Sequence, residues 1–160
     1  MIGKNGAPIE IRWARAEDWN PTMQMVWKTF MRFEADDYSE EGIENFREFI
    51  TDGRIYKMFV AGHYLMMVAL DEGKVVGQIS ARNRNHLSLL FVDEAYHKQG
   101  IGRALVMRMA EYLKHQKGEV YMSVKAAPYA VEFYRKLGFR ICGPEEEHAG
   151  IRVTYMEKFL

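Results

Sequence analysis

Residues 87–105 read LSLLFVDEAYHKQGIGRAL, an apolar run that passes through two glycines into an amphipathic segment. The run Leu87–Val92 has the length and apolar content of a short buried strand. From Gly100 to Gln116, apolar residues recur at helical spacing, which indicates a long amphipathic helix. The sequence therefore predicts a strand, a glycine-containing turn and a helix in direct succession.

The turn in this stretch has the features of an anion site. The first N–H groups of a helix have no backbone partner and carry partial positive charge. Gly100 and Gly102 let a phosphate approach the backbone, and Lys98 and Arg103 can add charge-assisted hydrogen bonds. A glycine turn that only closes the fold is an equally good interpretation of the spacing. The pattern is neither a P-loop nor the dinucleotide G-x-G-x-x-G, since Leu105 stands three residues after Gly102.

Apolar periodicity and turn residues divide the rest of the chain into further elements. We expect strands at 10–15, 75–83, 119–124 and 151–159, a long strand region at 55–70, and helices at 20–34, after Ser39 and from Pro128 to Leu137. Residues 143–150 (GPEEEHAG) indicate a polar loop. The order β-α-α-β-β-β-α-β-α-β-β predicts an α+β fold, an α/β three-layer domain.

Length and composition predict one globular domain. The chain has 160 residues, of which 48% are hydrophobic. Residues 1–8, with two glycines and a proline, are expected to be a flexible N-terminus, and residues 9–160 a single domain. Lys and Arg number 22, as do Asp and Glu, so the chain has no general attraction to nucleic acid or to an anionic membrane.

Other classes of protein are disfavoured by what the sequence lacks. It has no secretory signal and no run near the ~20 apolar residues of a membrane span. The single Cys142 allows no internal disulfide framework and suits a reducing cytoplasm, where we expect the protein. His63, His115 and His148 lack metal-ligand spacing, so we predict no metal site.

A second motif follows the first one along the chain. Residues 128–139 read PYAVEFYRKLGF, with the kernel aromatic-Tyr-x-x-x-Gly-Phe. Residues 97–102 (HKQGIG) resemble the acyl-CoA-binding motif Q/R-x-x-G-x-G/A of the GNAT superfamily of N-acetyltransferases, with His97 in the place of Gln or Arg. The two motifs stand in the family's order, and the resemblance extends from about residue 9 to residue 160. It implies a mixed, mostly antiparallel sheet flanked by helices.

The resemblance also implies an activity and a set of binding residues. The chain would be an N-acetyltransferase that moves an acetyl group from acetyl-CoA, its co-substrate, directly to a primary amine. The implied acetyl-CoA-binding residues are Leu90, Phe91 and Val92 beside the pantetheine arm, and His97, Lys98, Gln99, Gly100, Ile101, Gly102 and Arg103 around the pyrophosphate. A non-catalytic acyl-CoA-binding sensor is the alternative. Dimers are frequent among proteins of similar fold, so a homodimer is a candidate assembly.

The resemblance puts Tyr134 beside the CoA sulfur, where it is the candidate general acid. A phenol with a pKa near ~10 stays protonated at neutral pH and can supply a proton to a thiolate of pKa ~8.5. Its alternative role is that of a core tyrosine on the apolar face of its helix. A backbone N–H of the strand Leu90–Val92 is the candidate donor to the developing oxyanion.

The general base has several candidates. His86 shares one strand face with Ser88, Leu90 and Val92, because strand side chains alternate, and an imidazole of pKa ~6.5 accepts protons at neutral pH. A loop histidine is an equally good interpretation. The carboxylates of Glu34, Asp36 and Asp37 are the other candidates.

Residues 34–44 (EADDYSEEGIE) contain six acidic residues and no basic one. This run can attract a cationic amine or polyamine acceptor. We favour the other interpretation, in which acids complement a helix N-terminus within a solvated loop. The acceptor stays open among a small metabolite, an antibiotic, a polyamine and a protein amine.

Overall fold

A computed structural model describes all 160 residues and contains eight strands and five α-helices. The strands are β1 (Glu10–Trp13), β2 (Leu65–Asp71), β3 (Lys74–Arg82), β4 (His86–Val92), β5 (Tyr121–Ala126), β6 (Arg140–Ile141), β7 (Glu146–His148) and β8 (Ile151–Phe159). The helices are α1 (Trp19–Phe33), α2 (Glu40–Thr51), α3 (Gly53–Val60), α4 (Ile101–His115) and α5 (Val131–Lys136).

The strands form one sheet in the order β1-β2-β3-β4-β5-β8-β6, and β7 pairs with β8. Every pair is antiparallel except β4–β5, which is parallel. Helices α4 and α5 pack on one face of the sheet, and α1, α2 and α3 pack on the other. The predicted three-layer arrangement, with a mixed and mostly antiparallel sheet, is confirmed.

Two hydrophobic clusters hold these layers together. On one face, Leu105 and Met109 of α4 are fully buried against Ile79 of β3. On the other face, Val26 and Phe30 of α1 are fully buried. Burying a large apolar side chain stabilises a fold by about 1.5–3 kcal/mol, so these two clusters supply the main driving force for folding.

The expected long strand at 55–70 is wrong in its first half, where the chain forms helix α3. Asp52 caps this helix by accepting the N–H of Arg54 at 3.0 Å. Phe59 then packs on Trp19, with ring centroids 5.1 Å apart. A continuous apolar run does not distinguish a buried strand from a buried helix, and here the cap decides.

Three smaller boundaries also differ from the expectation. The strand expected at 119–124 is Tyr121–Ala126, and the helix from Pro128 begins with a 3-10 turn before α5. The loop expected at 143–150 contains β7, which forms a hairpin with β8. The sequence did not indicate this hairpin, because every residue of β7 is exposed and polar and the strand has no apolar pattern.

The N-terminal segment lies against the end of β2. Gly3 donates its N–H to Ala7 at 2.7 Å, and Lys4 donates its N–H to the Asp71 carboxylate at 3.0 Å. If residues 1–8 are flexible, as the sequence predicts, these hydrogen bonds must break. None of the five helices has the length and apolar character needed to cross a membrane.

Strand β4 contains an irregularity at the cleft of the sheet. Ser80 pairs with Leu89 and Ala81 with Leu87, so Ser88 is an extra, bulged residue. On its other side, β4 pairs with β5 only at two positions, His86–Ser123 and Leu87–Val124. Beyond these two pairs the strands separate, and a cleft opens between them.

The bulge also reverses the side-chain alternation along β4. Leu87, Leu90 and Val92 all pack toward the α4 face, whereas Leu89 and Phe91 pack toward the α1 face. His86, next to Leu87, therefore lies on the face opposite Leu90 and Val92. The expectation that His86 shares a face with them is wrong, because an inserted residue shifts a two-residue period by one.

Candidate active site

The cleft between β4 and β5 encloses a cavity of about 200 Å³. Of its 19 lining residues, 15 are hydrophobic. Six of these carry aromatic rings: Tyr38, Phe46, Phe49, Phe91, Tyr129 and Tyr134. Only three charged side chains reach it, those of Glu34, Arg82 and Lys125. Such a mostly apolar cavity strengthens any electrostatic interaction made inside it.

The edge of β4 offers free backbone groups to this cleft. Asp93 donates its N–H to Val76 of β3 at 2.8 Å. Because N–H directions alternate along a strand, those of Leu90 and Val92 point away from β3, on the side where β5 has separated. Phe91 contributes its ring to the cavity instead. An extended ligand arm can pair with this edge as an additional strand would.

His97, at the first position of the glycine motif, joins the turn to the end of β4. Its Nε2 lies 2.6 Å from the carbonyl oxygen of Val92, which only accepts, so Nε2–H donates. Its ring also packs on Phe33, with centroids 5.1 Å apart. The imidazole therefore makes a structural bond that orients the turn.

Six consecutive amides, those of residues 98–103, donate to no group in the protein. The first amide of the helix to be satisfied is that of Ala104, which donates to Gly100 at 2.9 Å. Positive φ values at Lys98 (64°) and Gly100 (85°) curve this segment. Successive N–H groups in such a curve form an anion-binding concavity at the positive end of α4.

The surroundings of these amides fit a diphosphate. A Cβ at Gly100 would meet nothing within 4 Å, so the space beside it is open. Lys98 and Arg103 are exposed and form no ion pair with the protein. Gly102 has a different role, because a Cβ there would lie 3.3 Å from the Phe133 ring. Its missing side chain lets α4 approach α5.

Tyr134 lies on α5 with its ring between those of Phe133 and Phe139, at centroid distances of 5.2 and 5.1 Å. It is 5% exposed and lines the cleft. Burial, and secondarily the Glu34 carboxylate, raise its pKa well above the usual value. The hydroxyl thus stays protonated, and it makes no hydrogen bond within the protein.

Glu34 reaches the same cleft from the end of α1. It is 8% exposed, and Tyr129 donates a hydrogen bond to its Oε2 at 3.4 Å. Burial raises the pKa of this carboxyl to about 7, with Asp37 adding to the rise and the Tyr129 bond opposing it. Near neutral pH, Glu34 therefore exists in both protonation states.

The other candidate bases lie elsewhere. The Nδ1 of His86 is 2.9 Å from the Ser123 hydroxyl, and its ring does not line the cavity. Burial, followed by the charges of Arg82 and Lys125, lowers its pKa to about 4. Asp36 is exposed, and Asp37 pairs with Arg152 at 3.5 Å.

The acidic run of residues 34–44 therefore contributes one carboxylate to the cleft. Glu40 and Glu41 lie in the first turn of α2, where they complement the helix dipole. Ser39 caps the same helix by accepting the N–H of Gly42 at 3.0 Å. The positions of Glu40 and Glu41 agree with the favoured interpretation, in which acids of the run complement a helix N-terminus within a solvated loop.

Sequence reasoning missed the side chains that complete the cleft, namely Arg82, Tyr38 and Tyr129. Tyr129 stands inside the second motif, so its position beside Pro128 was a signal. Arg82 gave no such signal, because its place at the cleft depends on how β3, β4 and β5 lie next to one another in the sheet.

The sequence model of the acetyltransferase (GNAT) domain matches residues 34–160. The chain belongs to the GNAT acetyltransferase family. The predicted resemblance is thereby confirmed, and the N-acetyltransferase class of enzyme with it. The matched region includes the glycine turn, Tyr134 and Glu34 at its first position.

Solved structures share this GNAT fold over nearly the whole chain. A GCN5-related N-acetyltransferase from Rhodopseudomonas palustris is 25% identical, with a TM-score of 0.82 over 96% of this chain and 97% of that one. The PaiA N-acetyltransferase from Thermoplasma acidophilum, in complex with coenzyme A, is 22% identical, with a TM-score of 0.81 over 96% and 99%. An aminoglycoside 6'-acetyltransferase type Ii is 20% identical, with a TM-score of 0.62 over 94% and 96%. No curated protein matches the sequence.

Proposed function

We propose that this GNAT acetyltransferase moves an acetyl group from acetyl-CoA directly to a primary amine, in the cytoplasm. One observation carries the proposal: the open amides of residues 98–103 follow the end of β4, and the free hydroxyl of Tyr134 lines the cleft along the separated β4 edge. That arrangement suits a ligand with an anionic diphosphate at one end and a thioester at the other.

Backbone amides hold acetyl-CoA, the acetyl donor. The amides of residues 98–103 bind the pyrophosphate, and Lys98 and Arg103 add charge-assisted bonds. The N–H groups of Leu90 and Val92 pair with the pantetheine arm. One of these two N–H groups donates to the thioester oxygen as negative charge develops there, an effect worth a few kcal/mol in other enzymes, about 2.7–4.

Glu34 replaces His86 as the proposed base. A free alkylammonium has a pKa near ~10.4, and transfer into the apolar cleft lowers it. Glu34, with a pKa of about 7, then accepts the proton that frees the amine lone pair. The C–N bond forms as the carbonyl electron pair moves onto oxygen, and the C–S bond breaks when that pair returns.

Tyr134 supplies the proton to the departing sulfur. Its own pKa is raised, but the same apolar surroundings raise the proton affinity of the thiolate. The phenolate takes back a proton from the nitrogen, which loses its second N–H proton as the amide forms, and Glu34 releases the first proton to solvent as CoA leaves. Direct transfer needs no covalent intermediate on the protein.

The test measures CoA thiol release with a panel of primary amines, comparing wild type with Tyr134→Phe. We expect the variant to lose about 10²–10⁴-fold in kcat while its acetyl-CoA affinity is unchanged. Tyr112→Phe is the matched control, since that ring packs on Trp13 at 4.7 Å, away from the cleft. Full kcat in Tyr134→Phe would remove the acid role.

The same assay separates the enzyme from the sensor alternative. A sensor binds acetyl-CoA but releases no thiol with any amine. Homodimer formation stays a prediction, which analytical ultracentrifugation of the protein tests.

A further inference from the structure

Arg82, at the end of β3, is a cation without a counter-ion. Its guanidinium lies over the ring of Phe49, 5.5 Å from the centroid, and no carboxylate lies within ion-pair distance. Its Nε is buried and has no hydrogen-bond partner. Stacking on Phe49 accounts for the orientation of the side chain but not for the unmet donor.

This guanidinium lines the same cavity as Glu34. The two opposite charges do not pair with each other, although the cavity encloses only about 200 Å³. The rest of the lining is mostly apolar. The cavity therefore offers an anionic group, an apolar middle and a cationic group, each without a protein partner of opposite charge.

The charge of the cavity disfavours a second ammonium group. Lys125 is exposed and unpaired at the same cleft, so cations outnumber carboxylates there. A diamine that places one nitrogen at Glu34 would have no second carboxylate for the other. Like-charge contact in a largely apolar cavity is unfavourable.

Resting on the proposed function, we infer that the acceptor is a primary amine with an apolar body and a carboxylate, which Arg82 binds while Glu34 receives the amine. The planar guanidinium offers a fork of N–H donors that matches a carboxylate. The apolar lining favours a singly charged carboxylate over a phosphate dianion, which is more costly to remove from water.

The experiment compares three amines built on one skeleton: para-aminomethylbenzoate, para-aminomethylbenzamide and para-xylylenediamine. CoA thiol release gives kcat/KM for each. We expect wild type to favour the benzoate over the other two by at least about tenfold, chiefly through KM, since binding is where the carboxylate acts.

Variants then assign the preference to Arg82. Arg82→Gln should bring the benzoate-to-benzamide ratio close to one, and Arg82→Lys should retain part of it through its charge. Arg84→Gln is the matched control, because Arg84 lies two residues along, pairs with Glu119 at 3.0 Å and does not line the cleft. It should keep the wild-type ratio. Thermal unfolding of each variant checks that it folds.

The outcomes separate this inference from the function on which it rests. If no amine of any kind releases thiol, the proposed function fails and the inference falls with it. If amines react but the benzoate is not preferred, or its preference survives Arg82→Gln, the acceptor inference is overturned while the enzyme stands.

Discussion

The carboxyl of Glu34 acquires its chemistry from burial. In water it would be ionised at neutral pH, but in the cleft its pKa is about 7. The two carboxylates that follow it along the chain do not share this environment, because Asp36 is exposed and Asp37 is paired with Arg152. A base whose pKa lies near the working pH combines proton affinity with availability.

Glu34→Gln tests this role through the pH dependence of activity. In wild type, kcat/KM should rise with pH and level off above about 7, as the carboxyl loses its proton. The glutamine variant should lose about 10²–10⁴-fold and lack that step. The measurement is thiol release across the pH range at saturating acetyl-CoA. An unchanged profile in the variant would exclude Glu34 as the base.

The same pKa has a consequence for stability. The carboxyl titrates near 4.5 when unfolded and near 7 when folded, so the folded state binds more protons between these values. Raising the pH across this window should therefore remove up to about 3 kcal/mol from the free energy of unfolding. Glu34→Gln should not show this loss, and its stability relative to wild type should increase with pH in urea unfolding.

At the scale of elements, the bulge in β4 and the hairpin β7–β8 shape the cleft from opposite sides. The turn of the hairpin rests on the N-terminus of α2: Ser39 donates its N–H to Gly150 at 3.1 Å. Beyond the turn, Ile151 and Val153 line the cavity. The start of α2 thus positions one wall of the proposed acceptor site.

Gly150→Ala should displace that wall. Gly150 has a φ of +82°, and a Cβ there would lie 1.8 Å from the Ser39 hydroxyl oxygen. We expect a loss of about 1–3 kcal/mol in stability and a higher KM for the amine, with acetyl-CoA affinity unchanged. Thermal unfolding and steady-state kinetics measure both effects.

Gly143→Ala provides the control for this variant. Gly143 lies in the loop before β7, and its Cβ would meet nothing within 4 Å. It should behave as wild type. If Gly150→Ala keeps the wild-type KM for the amine, the hairpin does not form part of the acceptor site.

At the scale of the whole molecule, acetyl-CoA should bridge elements that are distant in sequence. Its proposed contacts join β4, the start of α4 and α5, all of which pack in one hydrophobic cluster. A ligand that binds only the folded state stabilises all of them together.

Saturation with acetyl-CoA should therefore raise the unfolding temperature. At about 100 times its Kd the ligand adds ~2.7 kcal/mol, which for a chain of this size is about 5–10 °C. Differential scanning fluorimetry measures the shift, with adenosine as the control because it lacks the diphosphate and the pantetheine arm. No shift at millimolar acetyl-CoA would contradict the proposed binding site.

Most of the fold was predictable where local chemistry decides it. The strand, turn and helix of residues 87–116 follow from apolar periodicity and from Gly100, whose positive φ suits the start of α4. Helix α3 was missed because residues 55–70 are largely apolar, and such a run does not distinguish a buried strand from a helix. The strand β7 was missed because its exposed side chains carry no burial pattern.

Local sequence was enough to indicate the GNAT motifs, the amides that precede Ala104 and Tyr134 as the candidate acid. Caps, turns and helix starts form within a few residues, so their patterns are local. The base and the proposed anchor for the acceptor required the folded molecule. Burial raises the pKa of Glu34, and one bulged residue moves His86 off the face of Leu90. Burial and strand opposition depend on residues far apart in sequence, so no local pattern contains them.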